Sequence, residues 1–499
     1  MIATPAAAVV LAAGDGTRMK SRTSKMLHAI GGRTLVAHAM LTVGETNAPY
    51  LVGVVRAHRD AVAAEISAVW PGALIADQDD IPGTGRATEC ALNVLPADLR
   101  GTVLVTYGDT PLLASQTLLE LTTVHESASN AVTVLTARVP DPTGYGRIVR
   151  DAHGVRSIVE HKDAVSGGDQ ETLAIDEINS GTYAFDAEVL RSSLKSVSID
   201  NIQGEKYLTD VLGIARGAGA RVDAHIVTDT WQIEGVNNKV QLAAMEKELN
   251  RRTLERLMRE QGVIVADPAT TWVDVGVSVG SDTRIDPGCQ LLGTTTIGVG
   301  CTIGPDVTLK DTEVHNGASV IRTHAEFALI GEDAAVGPFS YLRAGTTLGK
   351  GGKIGGFVET KNAQIGDETK VPHLTYCGDA TIGKGVNIGA GTIFANYDGV
   401  AKYHIDVGAY SFVGSNSVIV APCTIGDGVY VAAGSVVVND IEPGYLGVTR
   451  AQQRNVDGWV ARRRTDTKTH EAAEAAKNAN LDATHQYTKT EDQQGDSPE

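Results

Sequence analysis

Between residues 279 and 437, apolar side chains recur every sixth position, and that period admits very few folds. Val279, Ile285, Leu291, Ile297, Ile303 and Leu309 form one run. Ile330, Val336, Leu342, Leu348 and Ile354 form a second, and Val407, Val413, Ile419, Ile425, Val431 and Val437 a third. Glycine often follows directly, as in IGVGCTIG, IGEDAAVG and IGDGVYVAAG. A helix cannot hold a six-residue period on one face, and a hairpin sheet reads with period two. Hexapeptide repeats of this kind build a parallel β-helix whose narrow interior takes one apolar side chain per repeat. The phase slips between Ile354 and Ile365, between Val371 and Ile382, and between Ile388 and Val407. We read these slips as extra residues leaving the solenoid in loops, which tend to gather on a binding face. Glu359, Lys361, His373, Tyr376, Asn396, Tyr397 and Lys402 lie there.

Residues 1–237 carry a different pattern. AVVLAA (8–13), LVGVV (51–55), TVLVTYGD (102–109) and AVTVLTARV (131–139) read as strands, and SQTLLELTTVHESA as a helix between two of them. Such alternation favours an α/β domain with a mostly parallel, Rossmann-like sheet, which binds ligands beyond the carboxyl ends of its strands. Gly14 and Gly108-Asp109 stand at such ends. Over 238–262, Val240, Leu242, Met245, Leu249, Leu254 and Leu257 recur at helical spacing with Gly262 as a stop, so one amphipathic helix is expected to join this domain to the repeats of 263–460. The tail, 461–499, is polar and nearly free of large apolar groups, and reads as disordered.

The 499 residues exceed one ordinary core. A net charge of −17 argues against sequence-independent nucleic-acid binding. Cys90, Cys289, Cys301, Cys377 and Cys423 are scattered and odd in number, which reads as reduced cytoplasmic thiols. The apolar start runs at once into Gly-Asp-Gly, so it is a strand and not a signal peptide, and no run is long enough to span a membrane.

Against the acidic whole, LAAGDGTRMKSRTSK (11–25) gathers Arg18, Lys20, Arg22 and Lys25 behind a glycine turn. It is neither a P-loop nor a dinucleotide fingerprint, since both signatures are incomplete. A glycine turn after a strand still exposes N–H groups able to cradle phosphate, with Arg18 and Lys25 adding full charge. Asp109 ends its strand as a hard oxygen ligand suited to Mg²⁺. Gln78, Gly83 and Thr84 in QDDIPGTGRA can read a base edge. GYGRI, VEHKD and EINSG place Gly146, Glu160 and Asn179 in loops between strands, and EGVNN ends the domain with Asn237.

G-x-G-T-R-M with a following lysine resembles the sugar-nucleotide pyrophosphorylase signature. The ordered set YGD, GYGRI, VEHKD, INSG and EGVNN, then repeats with HLTY and NYDG, is similar over residues 6–460 to one family. That family is the bifunctional glucosamine-1-phosphate N-acetyltransferases and N-acetylglucosamine-1-phosphate uridyltransferases. The resemblance implies a left-handed β-helix, a homotrimer and two reactions. Glucosamine 1-phosphate is acetylated by acetyl-CoA, and the product is coupled to UTP to give UDP-N-acetylglucosamine and pyrophosphate. It implies nucleotide contacts by Leu11, Ala12, Ala13, Gly14, Lys25, Gln78, Gly83, Thr84, Tyr107, Gly108 and Asp109. Gly146, Glu160, Asn179 and Asn237 match the sugar side, and Asp109 with Asn237 the Mg²⁺ ligands.

In the second domain the resemblance implies sugar-phosphate contacts by Arg343, Lys361, Tyr376 and Asn387. Ala390, Asn396, Tyr397, Ser415, Ala433 and Arg450 match those for acetyl-CoA, with Asn396 and Ser415 holding the thioester carbonyl. Acetyl transfer needs an unprotonated amine and a stabilised oxyanion. His373 is the candidate base, with Glu359 orienting its ring. Arg86 and Ser24 stand where the family usually has histidine and proline. Ala344, Ile405 and Asn416 replace a usual proline, threonine and aspartate. Two other readings compete: a single-activity nucleotidyltransferase with a structural β-helix, and a non-catalytic sugar-nucleotide sensor. The intact set Glu359, His373, Asn396 and Arg450 argues against the first, and Asp109 with Asn237 against the second.

Overall fold

The computed structural model describes residues 3–152, 154–199, 201 and 203–491, with 480–491 as backbone alone. Nine strands make the N-terminal sheet: β1 (Ala7–Leu11), β2 (Tyr50–Val55), β3 (Leu74–Asp77), β4 (Thr102–Tyr107), β5 (Val132–Arg138), β6 (Arg147–Asp151), β7 (Gly154–Val159), β8 (Glu177–Asp186) and β9 (Val222–Ile226). Their order is β9-β5-β8-β4-β1-β2-β3, with β6 pairing β8 and β7. β1 runs parallel to β2 and β4, while β8 runs antiparallel to β4 and β5. In β1, Ala7, Val9 and Leu11 enter one core and Ala8 and Val10 another, so helices cover both faces. The open ground that remains is at the strand ends, where a ligand can reach backbone groups.

The helix Lys239–Glu260 starts where Asn238 Oδ1 accepts the amides of Val240 and Gln241, each at 2.9 Å. Met245 packs with Met19, Ile30 and Val236 on the N-terminal side, and Leu254 and Leu257 enter the β-helix core. Val240 is exposed instead, because it falls on the first turn outside that stripe. Asn250 closes the first coil: its Nδ2 donates to the Thr271 carbonyl at 2.8 Å, and its Oδ1 accepts from the Val273 amide at 2.9 Å.

The sixth-residue positions all point inward in a parallel β-helix, where Ile285, Leu291, Ile330, Ile354 and Val413 have no accessible surface. The first two phase slips are not insertions. Val336 pairs with Ile354, a step of 18 residues, whereas Ile354 pairs with Val371 and Ile365 with Ile382, steps of 17. One corner has lost a residue, at Asn362 and Asp379, whose φ of 45° and 48° make a tighter turn that Asn and Asp tolerate. Glu359, Lys361 and Tyr376 therefore lie on paired strands, Glu359–Ile365 and Tyr376–Ile382, and not on bulges. The third slip is a true insertion: Ile382 pairs with Val407, a step of 25. Its loop is drawn closed by a bridge between Tyr397 and Lys402 and by Asp398, which accepts the amides of Val400 and Ala401.

In the tail, read as disordered, the described residues form helices over Trp459–Arg463 and Lys468–Glu491, while 492–499 lie outside the described residues. Its alanines and alternating charges satisfy local helix propensity without supplying a core. No helix of the described residues is long and apolar enough to cross a membrane. The five cysteines are free and buried, and burial pushes the Cys377 thiol up to about 12.

Candidate functional sites

The glycine turn after β1 is built around Lys25. Gly16 has φ +62°, and a Cβ there would stand 2.6 Å from Lys25 Cβ, so only glycine lets residues 17–27 fold back over the strand end. Lys25 and Asp109 form an ion pair whose side chains are only 10% and 14% exposed. Asn237 Oδ1 accepts from Arg18 at 2.9 Å and from Lys25 Nζ at 3.5 Å. The Asp109 carbonyl accepts the Val236 amide at 2.9 Å, which ties the end of β4 to the end of the domain. Two cations and two oxygen donors far apart in sequence thus meet at one point.

A cleft of about 270 Å³ opens beside them, lined by Leu11, Ala13, Gly14, Lys25, Gln78, Gly83, Thr84, Tyr107 and Asp109 among others. Ala12 and Gly108 lie behind it, where the Gly108 amide donates to the Leu11 carbonyl at 3.0 Å. Gln78 Nε2 donates to the carbonyls of Ile81 at 3.0 Å and Gly83 at 3.2 Å, which closes the turn. Gly146, Glu160 and Asn179 form a second group: a Cβ on Gly146 would lie 3.5 Å from Glu160 Oε1 and 3.6 Å from Asn179 Cβ. Asn179 is in β8, at a register shift, and not in a loop. Burial first, then Asp163 and Asp210, push the Glu160 carboxyl above its usual range. Burial, with Glu160 and Asp109, likewise raises the Tyr107 hydroxyl, which also bonds to Thr84. A cavity of about 910 Å³ between the helix Lys239–Glu260 and the first coil lies away from these groups. Ser24 has φ −52°, a value proline also adopts, so its backbone keeps the shape.

On the β-helix the predicted residues divide between a strand face and a corner. On the face, Arg343 donates to Glu359 Oε1 at 3.0 Å, and Glu359 sits in register with Tyr376. Glu359 is thus engaged by Arg343; no hydrogen bond joins it to His373 among the described residues, so the expected orienting contact is not made. Lys361 stands close to Lys402, and that like charge pushes its pKa down. Asp379 takes Asn362 Nδ2 at 2.8 Å on one oxygen and Asn396 Nδ2 on the other. The bare Gly378 lets Tyr376 lean over it, since a Cβ there would meet Tyr376 Oη at 2.3 Å and Asn396 Nδ2 at 2.9 Å. Sequence reasoning placed Lys402 on the binding face without giving it a role, and left Asp379 out. The signal for Lys402 was its place in the insertion, while Asp379 had none beyond its turn-forming type.

The corner is a column of backbone bonds running up the solenoid. The Gly391 amide donates to the His373 carbonyl at 3.2 Å, Asn416 to Ala390 at 2.8 Å, and Gly434 to Ser415 at 2.8 Å. Arg450 Cδ lies 3.9 Å from a Cβ position on Gly434, beside Ala433. Successive coils are spaced by ~4.8 Å, so His373 to Arg450 spans ~19 Å, a track for an elongated ligand. Asn387 pairs with Lys370 and Phe412 on the neighbouring strand, and the His373 and Ser415 side chains are exposed. Tyr397 is held at the insertion by its hydroxyl bond to the Gly399 carbonyl at 2.6 Å. Of the departures, Ile405 is fully buried between Ala380 and Cys423, Asn416 takes the αL corner with φ 55°, and Ala344 is exposed on its turn.

Comparison with known proteins bears on both domains. The MobA-like NTP transferase domain family matches residues 8–162, and the bacterial transferase hexapeptide family (six repeats) matches 404–439. The chain is 54% identical over 489 residues to the bifunctional protein GlmU of Kineococcus radiotolerans, covering 98% of each chain. It is 53% identical to that of Rhodococcus opacus, over 94% of this chain and 95% of the relative. It is 52% identical to that of Corynebacterium glutamicum, over 95% and 97%. With both folds, both sets of residues and near full-length similarity in hand, the chain belongs to the GlmU family of bifunctional enzymes, which make UDP-N-acetylglucosamine by glucosamine-1-phosphate acetylation and N-acetylglucosamine-1-phosphate uridylylation.

Proposed function

We propose that uridylyl transfer takes place in the cleft at the ends of β1 and β4, with Arg18, Lys25, Asp109 and Asn237 as its charged centre. The observation that carries this is their single hydrogen-bonded cluster. A sugar-phosphate oxygen attacks the α-phosphorus of UTP; as that P–O bond forms, the bond to the bridging oxygen breaks and pyrophosphate leaves with the electron pair. Two polyanions must approach, so the protein's task is positioning and charge compensation, and no protein nucleophile is needed. Arg18 and Lys25 supply cations, Gln78, Gly83 and Thr84 meet the base, and Gly146, Glu160 and Asn179 meet the sugar. Asp109 and Asn237 turn hard oxygens toward the same ammonium, a donor set that fits Mg²⁺. Held by those two side chains, Mg²⁺ would neutralise triphosphate charge.

Acetyl transfer is assigned to the β-helix. Arg343, Lys361 and Tyr376, with Lys402 beside them and Asn387 on the next strand, take the sugar phosphate; the Lys361–Lys402 contact is relieved by an anion between them. His373 takes a proton from the substrate ammonium, the amine attacks the thioester carbonyl, and the C–S bond breaks to release the CoA thiolate, which is then protonated. Asn396 and Ser415 stabilise the oxyanion, and the corner from Ala390 through Ala433 to Arg450 holds CoA, with Tyr397 at its side. Glu359 acts by holding Arg343. A homotrimer completes this site: Phe339 and Phe357 stack at 5.3 Å on one corner, and Phe357 is 64% exposed, an apolar ladder suited to a second copy. The buried, unpaired cysteines support a reducing, cytoplasmic setting. The test supplies purified protein with acetyl-CoA and glucosamine 1-phosphate, then UTP and Mg²⁺. Release of both CoA thiol and pyrophosphate is expected. Pyrophosphate from N-acetylglucosamine 1-phosphate without any thiol release would leave the β-helix structural.

A further inference from the structure

Arg86 stands two residues after Thr84 on the helix Thr84–Val94, yet it does not line the nucleotide cleft. Its guanidinium turns back onto Asp79, giving Nε to both carboxylate oxygens at 3.1 Å and NH2 to Oδ2 at 2.5 Å. Its other arm, NH1, donates to Glu89 Oε2 at 2.7 Å. Glu89 Oε1 in turn accepts Lys206 Nζ at 2.9 Å. Four alternating charges thus run Asp79, Arg86, Glu89, Lys206, with side chains between 13% and 46% exposed.

Both ends of this chain are fastened to the turn that carries Gln78, Gly83 and Thr84. Asp79 Oδ1 also accepts the Ile81 amide at 3.2 Å inside the turn. The Lys206 amide donates to the Pro82 carbonyl at 2.9 Å, and its carbonyl accepts the Gly85 amide at 2.8 Å. The Leu208 amide donates to Thr84 Oγ1 at 3.2 Å. The contact is backbone against backbone: a Cβ on Gly83, which has φ +114°, would stand 2.3 Å from the Lys206 carbonyl oxygen. A planar fork with donors on two sides is what one side chain needs to reach both carboxylates. Lysine has no such fork, and an imidazole has one donor on each of two nitrogens at most.

We propose that Arg86 is a positioning residue for the uridylyl reaction: acting through Asp79 on one arm and Glu89–Lys206 on the other, it holds the base-reading turn 78–85 in its binding shape without touching the nucleotide. This rests on the reading of that cleft as the UTP site. Arg86 selects for a preformed turn, so its loss is felt in UTP affinity and not in the chemistry, which lies at Lys25 and Asp109.

The test is a double-mutant cycle on the full chain, with Arg86→Ala, Arg86→Lys, Asp79→Ala and Asp79→Ala/Arg86→Ala, reading KM for UTP, kcat and acetyl transfer. Lys25→Ala is measured beside them: loss of UTP turnover with acetyl transfer kept carries the cleft reading, and unchanged turnover would refute that reading and, with it, this proposal. Arg86→Ala is expected to raise KM for UTP about tenfold, the scale of one charge-assisted bond, with kcat within about threefold. Acetyl transfer stays at the wild-type level and reports that the chain is folded. Arg86→Lys should resemble Arg86→Ala because the fork is lost, and the double variant should cost no more than the larger single one. Rescue by lysine, or penalties of Asp79→Ala and Arg86→Ala that multiply, would mean that Arg86 acts directly on triphosphate charge. An unchanged KM in Arg86→Ala would remove the role altogether.

Discussion

Gly181→Ala tests how closely the cleft depends on bare backbone. Gly181 has φ +80°, and a Cβ placed there would fall 1.9 Å from Tyr107 Cε2, 2.8 Å from Cδ2 and 2.9 Å from Cζ. Two costs add. A side chain in left-handed backbone costs ~1–2 kcal/mol. Forcing a methyl into a ring in a packed site costs ~1–3 kcal/mol more, since Tyr107 ends β4 and its hydroxyl is tied to Thr84. The sum, ~2–5 kcal/mol, lowers the N-terminal melting temperature by roughly 5–15 °C for a domain of this size. Gly219→Ala serves as the control, with φ +83° and open space around the Cβ, so it carries the backbone cost alone. Calorimetry of both variants, beside assays of the two activities, separates the terms. Gly181→Ala should lose uridylyl transfer while acetyl transfer persists, and Gly219→Ala should lose neither. Equal melting temperatures for the two variants would refute the argument from Tyr107.

Glu248 is held down to about 2 by hydrogen bonds from Arg251 and then Arg252, so its contribution to stability is complete above the ordinary carboxylate range and is lost as pH falls through about 2. Melting temperature followed from pH 5 to pH 2 should fall less steeply in Glu248→Gln than in wild type; identical slopes would contradict the assignment. Phe357→Asp places a charge on the exposed aromatic ladder, and light scattering should show the proposed trimer lost, with acetyl transfer reduced and uridylyl transfer kept. A monomeric wild type with full acetyl transfer would overturn the trimer proposal.

How much of this was legible in the chain depends on what each residue reports. The six-residue period was fully legible, because a solenoid interior imposes the same inward position on Ile285, Ile354 and Val431 alike. The sense of the phase slips was not. A lost corner residue at Asn362 and an added loop at Tyr397 both disturb the spacing of apolar positions, and spacing alone does not say which occurred. Lys25, Asp109 and Asn237 were legible as chemistry, but their meeting at one ammonium is a product of the fold. The contact of Glu359 was not legible for a similar reason: it pairs with Tyr341 on the neighbouring strand and Arg343 reaches it diagonally, a packing effect that no local motif encodes. Arg86 follows the base-reading turn in sequence, and only the placement of Asp79 and Glu89 turns its side chain away from the cleft.

The central claim is that two chemically independent sites share this chain, and a crossed assay tests it most directly. Asp109→Ala and His373→Ala are each measured for CoA release from acetyl-CoA with glucosamine 1-phosphate, and for pyrophosphate release from UTP with N-acetylglucosamine 1-phosphate supplied ready-made. Asp109→Ala should abolish pyrophosphate release and leave CoA release intact. His373→Ala should cut CoA release by roughly 10²–10⁴-fold, with partial recovery as pH rises, and leave pyrophosphate release intact. Loss of both activities in either folded variant, or near-normal CoA release from His373→Ala at neutral pH, would contradict the account.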